Sequence, residues 1–373
     1  MKFCIITHVV HTESENNFYG YSPYINEMNI WLKNVDEVIV AAPKEAFSLS
    51  PIHTCYNHSA IEFIELKKFD ALQFSAKLRA FTSVIKNVFL IYKAMKKADH
   101  IHLRCPGNIG LLGCLVQILF PSKKKSAKYA GNWDPKAKQP LSYKLQKWIL
   151  SNTFLTKNMQ VLVYGEWNNQ SKNIKPFFTA TYSEQQKQPI AEKELASTLK
   201  FLFVGTFSPG KQPLYAIKLV EMLYLKNIKC SLELYGDGVE KIKLQEYITE
   251  NNLEKIVFIK GNQSLDTIKE AYCKSHFVIL PSKSEGWPKV IAEAMFWRCL
   301  PIASQVSCVP SMLDKGKRGI LLQMNLNDDV DQISLLINNE KLYSKMILEA
   351  VNWSRKYTTD FFESEIKTIL QLK

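Results

Sequence analysis

Pro281-Ser-Lys-Ser-Glu285-Gly286-Trp-Pro-Lys-Val-Ile-Ala-Glu293-Ala-Met295 follows the apolar run at 277–280 and reads as a strand end, a tight glycine loop and a helix. That succession is the repeating unit of a parallel α/β sheet, whose strands feed helices through short loops. Gly286 has no Cβ and lets the backbone come close to a ligand. The helix start near Lys289 and Val290 presents free N–H groups suited to anionic oxygens. Glu285 lies in the loop and Glu293 more than a turn into the helix. By spacing alone, two glutamates eight apart are ordinary solvated charges.

The same alternation runs outward in both directions. In the second half the spacing predicts strands over 199–205, 232–235, 256–260, 277–280, 300–303 and 319–322, and in the first half over 2–8, 37–42, 61–66, 100–104, 127–131, 161–164 and 178–182. A chain of 373 residues exceeds what one core usually supports. The Gln-rich segment at 184–198, broken by Pro189, reads as a linker between a domain at 1–183 and another at 199–351. The tail at about 352–373 carries Trp353, Tyr357, Phe361, Phe362, Ile366 and Leu370 on one helical face and is expected to pack back on the first domain. The expected fold class is α/β, two Rossmann-like doubly wound parallel-sheet domains facing a central cleft, where ligands bind in such sheets.

The Pro-Ser-x-x-Glu-Gly-x-Pro context around Glu285 resembles the Glu-x7-Glu signature of the retaining glycosyltransferase family 4, the group 1 glycosyltransferases of GT-B fold. The resemblance implies that Glu285 reaches sugar hydroxyls and that Glu293 accepts both hydroxyls of a ribose, with Gly286, Trp287, Lys289 and Val290 around the donor. Phe201-Leu-Phe-Val-Gly205-Thr206-Phe-Ser-Pro-Gly210-Lys211 resembles the family's Gly-Arg-x4-Lys-Gly loop, in which Arg and Lys neutralise the donor diphosphate. Lys211 falls on the lysine position. Thr206 stands where the family has arginine, and a hydroxyl does not replace a bidentate guanidinium. Leu232-Glu-Leu-Tyr-Gly236-Asp237-Gly238 resembles the turn beneath the nucleotide, and Lys260-Gly261-Asn262 the segment that reads the base edge. A Gly-Asp-Gly taken alone fits any tight turn.

The first half matches the family more loosely. Tyr19-Gly20-Tyr21, in a turn expected over 11–24, stands in place of the family's glycine pair, and His102, Arg104 and Asn108 lie at an expected strand end facing the cleft. These six residues are the acceptor-binding candidates. The family's catalytic histidine is missing after the fifth strand, where Asn132 is expected to present its amide to the sugar or the leaving group. The catalytic set implied is therefore Glu285, Lys211 and Asn132.

Charge and composition bound the alternatives. The net charge is +13; residues 1–190 hold 24 Lys and Arg against 13 acidic residues, whereas residues 191–373 hold 24 against 22. A basic partner surface belongs to the first half. The segment at 67–97, with Lys67, Lys68, Lys77, Arg79, Lys86, Lys93, Lys96 and Lys97 around Phe74, Phe81 and Phe89, is expected either to lie on an anionic bilayer, helped by Lys123 to Lys125 and Lys128, or to pack on the sheet. Eight cysteines are spread singly with no Cys-x-x-Cys pair, which points to buried thiols and a reducing cytosol. The opening apolar run is too short for a signal peptide or a span, so the expected location is cytoplasmic, peripheral at the inner face of the membrane. Asp329-Val-Asp331 formally matches a metal-holding Asp-x-Asp but opens a helix, where acids suit the dipole, so no metal is expected.

The function the resemblance implies is transfer of a hexose or N-acetylhexosamine from a nucleoside-diphosphate sugar, a UDP-sugar being the expected donor, to a glycan or lipid-linked acceptor in cell-surface polysaccharide synthesis. The co-substrate takes the place of a cofactor, and nucleic acid is not an expected partner. Two other readings stand beside it: a GT-B nucleotide-sugar epimerase, and a degenerate nucleotide binder whose basic first domain holds a membrane or nucleic acid.

Overall fold

The structure, a computed structural model, describes residues 1–68, 77–195 and 198–371, with the side chains of 77–81 outside the description. Phe74, Lys77, Arg79 and Phe81 of the basic segment therefore lie outside the described side chains. The chain forms two units, one of residues 1–178 and 362–373, the other of residues 179–361.

The first unit runs β1 (Lys2–Ile6), β2 (Thr12–Ser14), β3 (Asn17–Tyr21), α1 (Ser22–Leu32), β4 (Glu37–Pro43), β5 (His53–Cys55), β6 (Ile61–Leu66), α2 (Lys77–Lys97), β7 (His100–Cys105), α3 (Asn108–Val116), β8 (Lys124–Tyr129), α4 (Leu141–Ser151), β9 (Met159–Tyr164) and β10 (Ile174–Phe177). Seven of these strands form a parallel sheet in the order β10-β9-β8-β7-β1-β4-β6, and β2-β3-β5 form a small antiparallel sheet. The central strands are apolar through their length, as strands covered on both faces must be; Phe3 to Ile6 and Val38 to Ala42 are buried. The turn expected over 11–24 is instead a hairpin, because Thr12 to Ser14 pairs with Asn17 to Tyr19 across a two-residue turn at Glu15 and Asn16, both with positive φ.

Two strand expectations are corrected. The last strand of the first sheet is β10, not 178–182: its register ends with Phe177 opposite Tyr164, after which β9 has run into Gly165 and offers no further partner. The fifth strand begins at Lys124 rather than 127, since its lysines break the apolar pattern yet are core residues. Lys125 and Lys128 are buried. The Lys125 ammonium donates to the carbonyls of Gln117 and Phe120. That of Lys128 donates to the Phe178 carbonyl, pairs with Glu27 at 3.2 Å and lies 4.9 to 5.3 Å from the rings of Phe362, Phe177 and Tyr164. Neither faces a membrane. Phe362 packs tilted against Phe177 and edge-on to Phe178, and Glu365 pairs with Lys175, tying residues 362–370 into this unit.

The second unit runs β11 (Leu199–Val204), α5 (Pro213–Leu225), β12 (Cys230–Tyr235), α6 (Lys241–Glu250), β13 (Val257–Gly261), α7 (Leu265–Lys274), β14 (Phe277–Leu280), α8 (Lys289–Phe296), β15 (Leu300–Ser304), α9 (Val309–Met312), β16 (Ile320–Leu322), α10 (Leu326–Ile337) and α11 (Glu340–Ser354), after which α12 (Thr359–Leu370) leads into the residues assigned to the first unit. Its six strands are parallel, in the order β13-β12-β11-β14-β15-β16. From β11 the chain winds to one edge through β12 and β13, then crosses back and winds to the other through β14, β15 and β16. The order therefore reverses between β11 and β14, and such a reversal leaves a crevice at the carboxyl ends of the two strands.

Candidate functional site

The loops that leave β11 and β14 meet at that crevice. The Lys283 N–H donates to the Gly210 carbonyl at 2.8 Å and the Gln212 side chain to the Pro281 carbonyl at 2.6 Å, so the two loops are laced together. Gln212 sits at φ 51 just before α5, which Pro213 opens at a position where a missing N–H costs nothing. This bend brings Lys211 to Glu285: its ammonium lies 2.6 Å from Oε1 of a carboxylate that is 7% exposed, while the lysine itself stays 31% exposed. A cation that is accessible and held by a nearly buried carboxylate is a fixed point charge at the mouth of the crevice.

The floor is built from glycine. Gly205 donates its N–H to the Tyr235 carbonyl, Phe207 to Asp237 and Gly236 to Gly261, each at 2.9 Å, joining the ends of β11, β12 and β13. A Cβ on Gly236 would stand 1.9 Å from the Gly205 carbonyl oxygen, and one on Gly238 would stand 2.5 Å from that of Phe207. The Gly-Asp-Gly turn is thus required by backbone packed on backbone. Asp237 accepts from the Gly238 N–H and from Lys241, and these hydrogen bonds hold its carboxyl below the usual range. Thr206 is exposed on this ledge.

The remaining donor candidates lie on α8, in the loop before it and at the end of β13. Lys289 and Val290 begin α8, and Gly286 precedes them, its carbonyl accepting from Cys308 Sγ at 3.0 Å. Trp287 stacks on Trp353 at 5.9 Å and against Tyr357 at 5.5 Å. Lys260 is exposed and pairs with Glu233 at 3.4 Å, and Gly261 has φ +69 with open space where a side chain would point. Glu293 accepts from Thr181 Oγ1 at 2.6 Å and from the buried Tyr272 hydroxyl at 3.2 Å. Glu285, Gly286 and Lys211 are brought together; Glu293 is held by other partners.

In the first unit the order reverses between β1 and β7, so its crevice lies at their carboxyl ends. Gly107 closes on His8 there: a Cβ on the glycine would meet the imidazole Nδ1 at 2.8 Å. His8 is exposed and was not singled out from the sequence, although a histidine directly after the first strand is the available signal. Asn108 begins α3 beside this crevice. His102 does not face it. It is wholly buried, bonded through Nδ1 to Ser126 Oγ and packed between Phe3 and Trp31, because alternation along β7 turns it into the core. Arg104 pairs with Glu27 at 2.9 Å and lies over the Tyr24 ring, so it too is mostly buried. Asn132 forms a turn, its Oδ1 accepting the Asp134 N–H at 2.9 Å. Tyr19, Gly20 and Tyr21 lie on β3, with Gly20 packed against Ile25 and His11 and Tyr21 exposed.

Asp329 and Asp331 have separate duties. Asp329 is buried and accepts from the N–H groups of Gln323 and Met324 and from the Tyr215 hydroxyl; Asp331 is exposed and pairs with Lys226.

Known proteins are similar to this chain in the sequence of its second unit and in its fold. Residues 184–353 match the family model of glycosyl transferases group 1. The chain is similar to an uncharacterized glycosyltransferase of Methanocaldococcus jannaschii, 31% identical over 42% of this chain and 43% of the relative. It is also similar to the poly(ribitol-phosphate) alpha-N-acetylglucosaminyltransferase of Staphylococcus aureus, 31% identical over 42% of this chain and 32% of the relative. The chain thus spans less than half the length of these relatives. Among solved structures, Anabaena HepE in complex with UDP and glucose superimposes with a TM-score of 0.70 at 14% identity, over 100% of this chain and 99% of that one. The sucrose-phosphate synthase of Thermosynechococcus elongatus does so with 0.67 at 16%, over 99% and 98%. The fold is GT-B, with two parallel-sheet Rossmann-like domains, and the match to the group 1 glycosyl transferases falls within the second unit.

Proposed function

We propose that this chain transfers a hexose or N-acetylhexosamine from a nucleoside-diphosphate sugar, with UDP as the leaving group, to a glycan or lipid-linked acceptor, with retention of the anomeric configuration. The observation that carries the reading is the Lys211–Glu285 pair at the reversal point of the second sheet, with a glycine ledge beside it and the start of α8 behind it. A relative and a protein of similar fold support the choice of donor and outcome: the staphylococcal relative is named as an alpha-N-acetylglucosaminyltransferase, and HepE was solved with UDP and glucose.

The bond from the anomeric carbon to the diphosphate breaks as a bond to the acceptor oxygen forms, and negative charge collects on the diphosphate. Lys211 and the N–H groups at the start of α8 stabilise that charge where it develops. The acceptor proton passes to the leaving phosphate oxygen, so no protein base is required. Glu285 both holds Lys211 in place and offers its second oxygen to a sugar hydroxyl. Thr206, in place of arginine, leaves the diphosphate with one guanidinium fewer, and the charge on Lys211 becomes correspondingly more important.

A thermal-shift titration with UDP, GDP, ADP and their sugar conjugates tests this. A nucleotide at 100 times its dissociation constant should stabilise the chain by roughly 2.7 kcal/mol. Lys211→Ala should abolish the shift, and Glu293→Ala should weaken it if that carboxylate exchanges Thr181 for a ribose. The reading fails if no nucleotide shifts the native chain, or if Lys211→Ala responds as the native chain does. Retention is checked separately by NMR of the product, and an inverted anomer refutes it.

A further inference from the structure

We propose that the outer faces of α2, α3 and α4 form a docking surface for an anionic lipid bilayer. The three helices share the core under one face of the first sheet, and α2 and α4 each turn one apolar stripe inward and a second one outward. On α4, Ile149 and Leu150 are buried, while Leu141 (82% exposed), Leu145 and Trp148 (58%) stand at i, i+4 and i+7 on the opposite side, followed by Phe154 (75%). On α2, Ile91 and Met95 face the core, while Ile85, Phe89 and Tyr92 repeat the same spacing outward. Leu115 and Leu119, on α3 and the turn after it, are exposed between them. The stripes are tied laterally. Tyr92 lies 5.2 Å from Phe120, and Gln117 donates to the Leu155 carbonyl. A soluble helix needs one apolar stripe, and outward stripes on adjacent helices mark an interaction surface.

Charge selects the occupant. Residues 71–165, which supply all three helices, contain sixteen Lys and Arg against two acidic residues, Asp99 and Asp134; Arg104, Lys125 and Lys128 are turned into the unit, whereas Lys86, Lys93, Lys96, Lys97, Lys144 and Lys157 are exposed. The basicity of the protein is therefore concentrated here. Exposed aromatic rings of the surface carry an ammonium beside them: Lys93 stands 4.3 Å from the Phe89 centroid and Lys157 5.2 Å from that of Phe154. Rings that enter the acyl boundary beside ammonium groups at phosphate level are the chemistry of an interfacial anchor. Among the described residues no helix is long and apolar enough to cross a membrane, so the contact is lateral. The inference does not rest on the transfer reading, as no nucleotide or sugar enters it.

Co-sedimentation of the full chain with vesicles of phosphatidylcholine alone, and of phosphatidylcholine with phosphatidylglycerol, tests it. The native chain should pellet with the anionic vesicles and be released by salt. Changing Leu141, Trp148 and Phe154 together to Gln, or Lys86, Lys93, Lys144 and Lys157 together to Gln, should each weaken binding by about ten-fold or more. All seven side chains are exposed or flank the surface, and unchanged melting temperatures show that the variants fold. As a second readout, anionic vesicles should shift the native tryptophan emission to the blue, and Trp148→Phe should remove most of that shift. No binding of the native chain, binding that survives the apolar changes, or a dimer that those changes dissolve without any vesicle binding overturns the proposal.

Discussion

Mild acid should loosen the first unit well before its carboxylates titrate. His11, His100 and His102 are each no more than 1% exposed. Burial lowers His11 and His100 to about 4, with the Lys124 charge adding to the effect at His100. Burial, then His100 and Arg104, hold His102 well below the usual range. The unfolded chain takes up a proton at each near pH 6.5 while the folded chain refuses it, so stability rises with pH across that interval and falls on acidification. Moving from pH 7.5 to 5.5 costs about 1.3 kcal/mol per histidine, about 4 kcal/mol for the three, against the 5–15 kcal/mol typical of a domain. Native-state hydrogen exchange of the β1 and β7 amides, corrected for the intrinsic rate, reports that opening energy directly. His102→Gln should remove about a third of the pH slope whatever it does to stability at neutral pH. A slope near zero in the native chain, or one unchanged in His102→Gln, would refute the argument.

The glycine ledge and the acidic helix start give two more expectations. Gly236→Ala drives a methyl into the Gly205 carbonyl and should lower the urea midpoint by an amount equivalent to about 3 kcal/mol or more, whereas Gly210→Ala, whose nearest neighbour would be 3.9 Å away, should be nearly neutral. Asp329→Asn keeps the shape but sets an amide donor against either the Gln323 N–H or the Met324 N–H and Tyr215 hydroxyl, and should cost about 2 kcal/mol in the same measurement.

The second unit was far more legible in the sequence than the first. Three of its strands run into glycine, at Gly205, Gly236 and Gly261, and the Glu285 loop follows the wholly apolar β14, so pattern and motif agree. In the first unit the pattern misled at particular side chains. Lys125 and Lys128 read as surface charges but lie in a core strand, satisfied by carbonyls and by Glu27. His102 read as a cleft residue but alternation buries it beneath Trp31. The exposure of Leu141, Trp148 and Phe154 was invisible, because a helix that is apolar on two sides looks like any core helix until the sheet shows which side it covers.

The cage around Lys128 has a consequence for how the chain is made. Phe362 closes that cage, and Ile366 and Ile369 are buried after it, so the first unit is built from segments on either side of the second. A ribosome adding about 5–20 residues per second delivers the second unit whole before those residues emerge. The first unit is thus completed only after the second has been made. Through that delay its buried ammonium waits for one of its three rings, a window in which a chaperone would meet the nascent chain.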